Sequence, residues 1–233
     1  MNLVENQQKA EQLQLVRTIR LTFPVDSFTP ADIPRLRAFL ARQFPDYHEF
    51  HNHTGNGGFR WVYPEIQFKF IKGVPCIVGY GPAIDILAGA FMKIQRIEIN
   101  HKIIEVPERS IEFNQYELGM SPKFIRYRFS SPWMALNEEN YRKYNRLDPI
   151  EQESMLNRIL WGNIRTLAHA FDYWIEDQDA LRVSGHFKMK TQKFKGTVMS
   201  TFMGEFIANF FLPDDLGLGK QVARGYGAIR KAD

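Results

Sequence analysis

Between Leu13 and Val106 the apolar residues keep changing their spacing, from two apart to three and four apart and back, and this switching admits few folds. Leu13, Leu15, Ile19, Leu21 and Phe23 alternate as in a strand, with Arg17 interrupting the apolar run. Thr29 is placed to cap a helix with Pro30 at its first position. Ile33, Leu36 and Leu40 share one face of that helix, which stops by Pro45. After a polar, glycine-bearing loop, Tyr63–Ile71 and Val74–Tyr80 read as two strands joined at Lys72-Gly73. Gly81-Pro82 opens a second helix aligning Ile84, Leu87, Ala88 and Phe91, and Gln95–Val106 reads as a last strand. Strand, helix, strand, strand, helix, strand is the ferredoxin-like order.

The second half carries the same elements less regularly. Ile111–Leu118 and Lys123–Phe129 read as strands separated by Gly119 and Pro122. Asp148-Pro149 starts the longest helix, with Leu156, Leu160, Leu167, Phe171 and Trp174 on or near one face. Two long strands follow, Leu181–Lys195 and Thr197–Leu212, turning at Gly196. The expected fold class is α+β, two tandem ferredoxin-like domains over residues 1–108 and 109–233. No sequence repeat links the halves, so the second copy rests on element order alone.

Charge placement narrows the partners. The net charge is +4 and the pI about 9.1, but no acid lies between Leu181 and Gly204, where Arg182, Lys188, Lys190, Lys193 and Lys195 fall. His186, Lys188 and Lys190 share one strand face, as do Arg126 and Arg128. Such faces suit phosphates, although a solvated face is the ordinary alternative. The one cysteine, Cys76, excludes an internal disulfide and a cysteine-based zinc site, and its apolar surroundings suit a buried hydrophobe. The polar start lacks a signal-peptide core and no apolar stretch spans a bilayer, so a soluble, cytoplasmic protein without a membrane partner is expected.

The segment GLGKQVARGYG sets Gly217, Gly219, Gly225 and Gly227 around Lys220 and Arg224, with Arg230 just beyond. Glycines let backbone N–H groups approach a phosphate, and the cations add charge; a tight turn ending a sheet is the alternative. A dinucleotide fingerprint is not expected, since it needs a strand before it and a helix with a downstream acid after it, and a Walker loop is not expected because Gly-Lys-Ser/Thr is absent. With the preceding Leu212-Pro213-Asp214-Asp215-Leu216, this segment resembles the C-terminal signature of the Cas-six family of CRISPR repeat-processing endoribonucleases, within the RAMP superfamily. Residues 59–81, FRWVYPEIQFKFIKGVPCIVGYG, resemble the N-terminal block of its b-type branch through Phe59, Arg60, Tyr63, Pro64, Gln67 and Lys69.

The resemblance implies a crevice between two domains for RNA, a C-terminal glycine-rich loop at the RNA, and metal-independent cleavage of CRISPR precursor RNA, with no cofactor. It places the active site at Glu49-Phe50-His51-Asn52-His53. Residues two apart in extended chain point to one side, so His51 and His53 suit opposite flanks of one phosphodiester, one imidazole as base and the other as acid. Which plays which part stays open. A His-x-His zinc site has only His48 as an extra nearby ligand, and a solvated loop is the default for loop histidines. Lys69, opposite Ile66, Phe68 and Phe70 on its strand, is expected outside the core and available to phosphate charge, and Tyr47 is a weaker candidate of the same kind. Products would carry a 2′,3′-cyclic phosphate and a 5′-OH. The partner is repeat RNA, with or without a CRISPR effector complex, for a monomer or homodimer. A non-catalytic RNA-binding subunit of such a complex is the rival reading.

Overall fold

Lys72 and Gly73 take left-handed φ angles of 52° and 83°, so the chain reverses within two residues and pairs β2 (Ile66–Ile71) with β3 (Val74–Tyr80). The structure is a computed structural model that describes residues 13–26, 28–50, 63–99, 101–175, 177, 180–194 and 196–232. Two compact units are present: Arg17–Gln115 joined by Val222–Gly225, and the remaining described residues.

In the first unit, β1 (Gln14–Thr22) pairs antiparallel with β3 from Thr18↔Tyr80 to Thr22↔Cys76, giving the order β2-β3-β1. The expected alternation of β1 holds from Ile19 onward. Before it the phase differs: Leu15 is 67% exposed, and Val16 and Thr18 are buried instead. Thr29 and Asp32 form a capping box around a 3-10 turn, Pro30–Asp32, which leads into α1 (Ile33–Gln43). Ile33, Leu36 and Leu40 of α1 are fully buried in a core with Ile19, Leu21, Phe68 and Ile77. Deleting any one large aliphatic there costs about 2–5 kcal/mol. The second helix, α2 (Ala83–Phe91), buries Ala83, Leu87 and Ala90, and the expected Ile84, Ala88 and Phe91 pack half-buried beside them.

The expected final strand of this unit is instead a hairpin. β4 (Arg96–Ile99) folds back on β5 (Lys102–Glu105), because His101 adopts φ 60° and Ile99 pairs with Lys102. Histidine is among the few non-glycine residues that visit this region readily.

In the second unit the two expected strands around Pro122 are one, β6 (Ser110–Phe129), with a shift in register between Met120 and Ile125. The irregularity survives because Ser121 Oγ accepts from Lys123 N (3.1 Å) and donates to Lys123 O (2.8 Å). A helix unforeseen in the sequence, α3 (Glu138–Tyr144), starts where the Asn137 side chain accepts from Asn140 N at 2.7 Å. The longest helix, α4 (Pro149–Ala170), begins with a capping box between Asp148 and Glu151 and buries Leu156, Leu160, Ile164 and Leu167. It ends before Phe171; Asp172 takes φ 55°, and Trp174 is left exposed, its ring 4.2 Å from that of His169. Strands β7 (Val183–Phe194) and β8 (Thr197–Phe211) form the expected hairpin with Gly196 at φ 84°. β6 pairs with β8 and with the short β9 (Ile229–Lys231).

Beneath this sheet Trp133, fully buried, stacks on Phe129 (5.1 Å, 8°), packs on Phe187 and Phe202, and donates Nε1–H to Asn163 Oδ1 at 3.0 Å. Tyr127 fills the far end of the core. Its hydroxyl donates to Phe210 O (3.1 Å) and accepts from Leu212 N (3.0 Å), and burial pushes its pKa above the ordinary phenol range. Tyr127→Phe leaves the Leu212 N–H unpaired in an apolar site, so it is expected to cost about 1–3 kcal/mol in urea unfolding. A loss below about 0.3 kcal/mol would show that this hydroxyl is not a structural link.

Candidate functional site

His51 and His53 lie outside the described residues, but the chain on either side of them is fixed. Phe50 closes a 3-10 turn, His48–Phe50, is fully buried, and stacks on Phe44 (5.6 Å, 20°) while touching Phe68 (6.4 Å). Backbone bonds Tyr47 N→Phe44 O (3.2 Å) and Phe50 N→Tyr47 O (3.3 Å) hold the turn, and Tyr47 itself is exposed. Downstream, Tyr80 donates its hydroxyl to Tyr63 O (3.0 Å), and Gln67 Nε2 donates to Pro64 O (3.2 Å). Phe50 and Tyr63, the described residues that flank this stretch, are thus each held by packing or hydrogen bonds of the first unit.

Lys69 departs from expectation. It is fully buried, and its Nζ donates to Val222 O at 2.9 Å. Lys69 does lie on the face of β2 opposite Phe68; that face is buried too, with Val222 O receiving the ammonium and Arg224 pairing in parallel with Phe68 along the edge of β2. Both faces of β2 are thus inside, so a polar residue on the second face is buried as well. Close by, burial and the neighbouring Arg224 pull the Arg37 guanidinium down to about 10.

The glycine-rich segment is shaped by its own packing. Gly217 and Gly227 are buried, and Gly219, Gly225 and Gly227 take φ of 91°, 101° and 68°. A Cβ on Gly227 would sit 2.0 Å from Leu218 O, and one on Gly219 would sit 2.6 Å from Trp133 Nε1. On Gly225 the nearest atom would be an Ile33 methyl at 3.3 Å. Leu218 N→Gly227 O (2.8 Å), Gly227 N→Pro132 O (2.8 Å) and Lys220 N→Met134 O (3.0 Å) tie the segment down. Glycine is required at 219 and 227 by the protein's own atoms, whatever else the segment touches. Of its cations, Lys220 is exposed and Arg224 half-buried. Arg230 is committed to a bidentate pair with the buried Asp215, at 2.6 and 2.8 Å, which raises its pKa further.

The second unit's sheet brings the remaining basic residues to one face. Directly paired residues of an antiparallel ladder share a face. Register places Arg230, Arg128, Glu205 and His186 in one row, and Arg126, Ile207 and Ser184 in the next. Lys188 and Lys190 continue that face on β7, opposite Met203 and Thr201. Arg126, Arg128, Lys188 and Lys190 are exposed. The row is not purely basic. Glu205 sits between Arg128 and His186, and the His186 Nδ1 lies 2.7 Å from Glu153 Oε2 on α4. Neither acid stood out in the sequence, since Glu205 lies just past the acid-free run and Glu153 is distant in the chain. Among the described cations of this face, Arg126, Lys188 and Lys190 have no acid opposite them in the ladder.

Comparison with known proteins fits this arrangement. Residues 14–117 match the Cas6b N-terminal domain and residues 119–232 the Cas6b C-terminal domain. A solved Cas6b is 32% identical with a TM-score of 0.87, covering 94% of this chain and 100% of that one. A solved CRISPR RNA processing endoribonuclease Cas6b is 31% identical with a TM-score of 0.76 and the same coverage. An uncharacterised protein of Methanocaldococcus jannaschii is 31% identical over 142 residues, 61% of this chain and 96% of its own length. The architecture is thus α+β with tandem ferredoxin-like units, as the element order suggested.

Two glycines with positive φ separate backbone strain from crowding. A methyl carbon on Gly73 (φ 83°) would have nothing within 4 Å, whereas one on Gly227 would meet Leu218 O. Gly73→Ala is expected to cost about 1 kcal/mol and Gly227→Ala at least about 3 kcal/mol, read as shifts in urea midpoint. Equal losses at the two positions would mean that the segment relaxes around the added carbon.

Proposed function

This chain belongs to the Cas6b family, and from that premise we propose that it is an endoribonuclease that cuts CRISPR precursor RNA within its repeats. The observation that supports this reading most is the match, along 94% of this chain, to a solved CRISPR RNA processing endoribonuclease Cas6b. His51 and His53, two residues apart, suit the two proton transfers that such a cleavage needs.

In the mechanism we favour, a neutral imidazole takes the proton of the ribose 2′-OH next to the scissile phosphate. The 2′-oxygen forms a bond to phosphorus, and the bond from phosphorus to the 5′-oxygen breaks. The other imidazole, protonated, gives its proton to that leaving oxygen. The products are a 2′,3′-cyclic phosphate and a 5′-OH, and His51 and His53 supply both proton transfers without a metal ion. Tyr47, exposed on the turn before them, offers a hydroxyl to the phosphate oxygens. Lys69 has no part in this step, because its ammonium is engaged with Val222 O in the interior. RNA binding falls to the exposed Arg126, Lys188 and Lys190 of the open sheet face and to Lys220. A place in the cytoplasm, where precursor RNA is made, goes with this reading; separately, among the described residues no helix is long and apolar enough to cross a membrane.

Repeat RNA incubated with the protein in EDTA should be cut at one site, and a 2′-deoxy substitution at that site should abolish cutting. His51→Ala/His53→Ala should slow cleavage by about 10²–10⁴-fold or more while affinity stays within a few-fold. Activity lost on chelation and restored by magnesium would overturn the mechanism. Binding should show the electrostatic face. Each phosphate contact contributes roughly 0.7 to the salt slope for single strands, so replacing Arg126, Lys188 and Lys190 by alanine should flatten it by about 2. An unchanged slope in the folded triple variant would remove that face from the RNA path.

A further inference from the structure

Away from the histidine segment, the first unit holds a pocket of about 300 Å³ between α1 and the β4–β5 hairpin, lined by Arg35, Ala38, Arg42, Glu98, Ile99 and His101. Its size is at the lower end of the range for small-ligand sites. Arg35 and Arg42 stand seven residues apart on one face of α1, about 10 Å along the axis. Arg35 uses only one terminal nitrogen on Asp32 Oδ1 (2.7 Å) and Ala31 O (3.3 Å). The side chains of Arg42, Glu98 and His101 bond no described residue. Ile99, nearly buried, and Ala38 give the pocket an apolar wall.

We infer that this pocket holds one unpaired nucleotide of the RNA, with guanine as the preferred base; this rests on the RNA-processing reading above. Two permanent cations favour an anion, and guanidinium forks match phosphate oxygens. A bare phosphate is a poor fit, because the Glu98 carboxylate shares the space and repels it. A nucleotide resolves the conflict: its phosphate meets Arg35 and Arg42, its sugar and base lie on Ala38 and Ile99, and its base edge meets Glu98. Unpaired bases are read by hydrogen bonds on their Watson–Crick edge. Among the four RNA bases, guanine alone presents two adjacent N–H donors on that edge, at N1 and N2, matching the two oxygens of a carboxylate. Cytosine and adenine offer one amino group beside an acceptor, and uracil one N–H between two acceptors. His101, held at the hairpin tip by its left-handed backbone, borders the mouth.

The full chain can be titrated with GMP, CMP and inorganic phosphate, alongside the variants Arg42→Ala and Glu98→Gln, by calorimetry with circular dichroism as a folding control. A good bidentate base contact discriminates by roughly 5- to 100-fold, so GMP should bind about tenfold tighter than CMP and tighter still than phosphate. Arg42→Ala should weaken GMP about tenfold, and Glu98→Gln should bring GMP and CMP to within about threefold of each other. Should Arg42→Ala fail to fold, Arg42→Gln carries the same expectation. Phosphate binding as tightly as GMP, no nucleotide binding at all, or a GMP preference untouched by Glu98→Gln would each overturn the inference. Cleavage of repeat RNA by the wild type is read separately. Cutting without GMP binding leaves the nuclease and removes the pocket; GMP binding without cutting does the reverse.

Discussion

The C-terminal part of the second unit depends on a close backbone approach. Leu218 and Gly227 exchange main-chain contact across a gap too narrow for any side chain, and Gly219 lies against the indole of Trp133 in the same way. Because these two points hold, Asp215 N reaches Ile229 O at 2.7 Å and β9 can pair with β6. The bidentate Asp215–Arg230 pair then forms with its carboxylate buried and its guanidinium still partly exposed. Removing one member of such a pair leaves an uncompensated charge, so it fixes geometry more than it adds net stability. The same packing leaves Lys220 outside, presented by backbone that is itself immobilised.

Local signals in the sequence were followed closely by the structure wherever a few neighbouring residues decide the outcome. Thr29-Pro30 and Asp148-Pro149 start helices, and Lys72-Gly73 and Gly196 turn hairpins, because caps and left-handed turns are settled by the side chains present there. Departures arose where distant chain decides. The alternation at Lys69 was read correctly, but its burial is set by residues 222–225, which no periodicity around position 69 can reveal. Pro122 looked like a break and became a register shift, since Ser121 repairs the lost pairing locally. The hairpin at His101 hid inside a run whose apolar spacing suits one strand or two.

The candidate site divides the same way. Alternation put the basic residues of β6 on one face of their strand and those of β7 on one face of theirs; that the two faces lie on the same side of the sheet comes from the register. The acids among them, Glu205 and Glu153, come from another strand and from α4, so the mixed character of the face appears only in three dimensions. Arg230 looked like one more free cation until Asp215 was found holding both arms of its guanidinium. His51 and His53 were named from sequence, and the described chain adds the anchors Phe50 and Tyr63 to either side of them.

The bond from Lys69 to Val222 joins residues 153 positions apart. The first unit is therefore not a contiguous length of chain, and its order of folding is constrained. In residues 17–115 alone the Lys69 ammonium would lose the Val222 carbonyl, and the side of β2 where residues 222–225 lie would open to water. Such a fragment, excised or newly made, would hold its sheet open on that side until the distant tetrapeptide arrived. Closing so long a loop is slow, so maturation of this unit should be among the late events in folding.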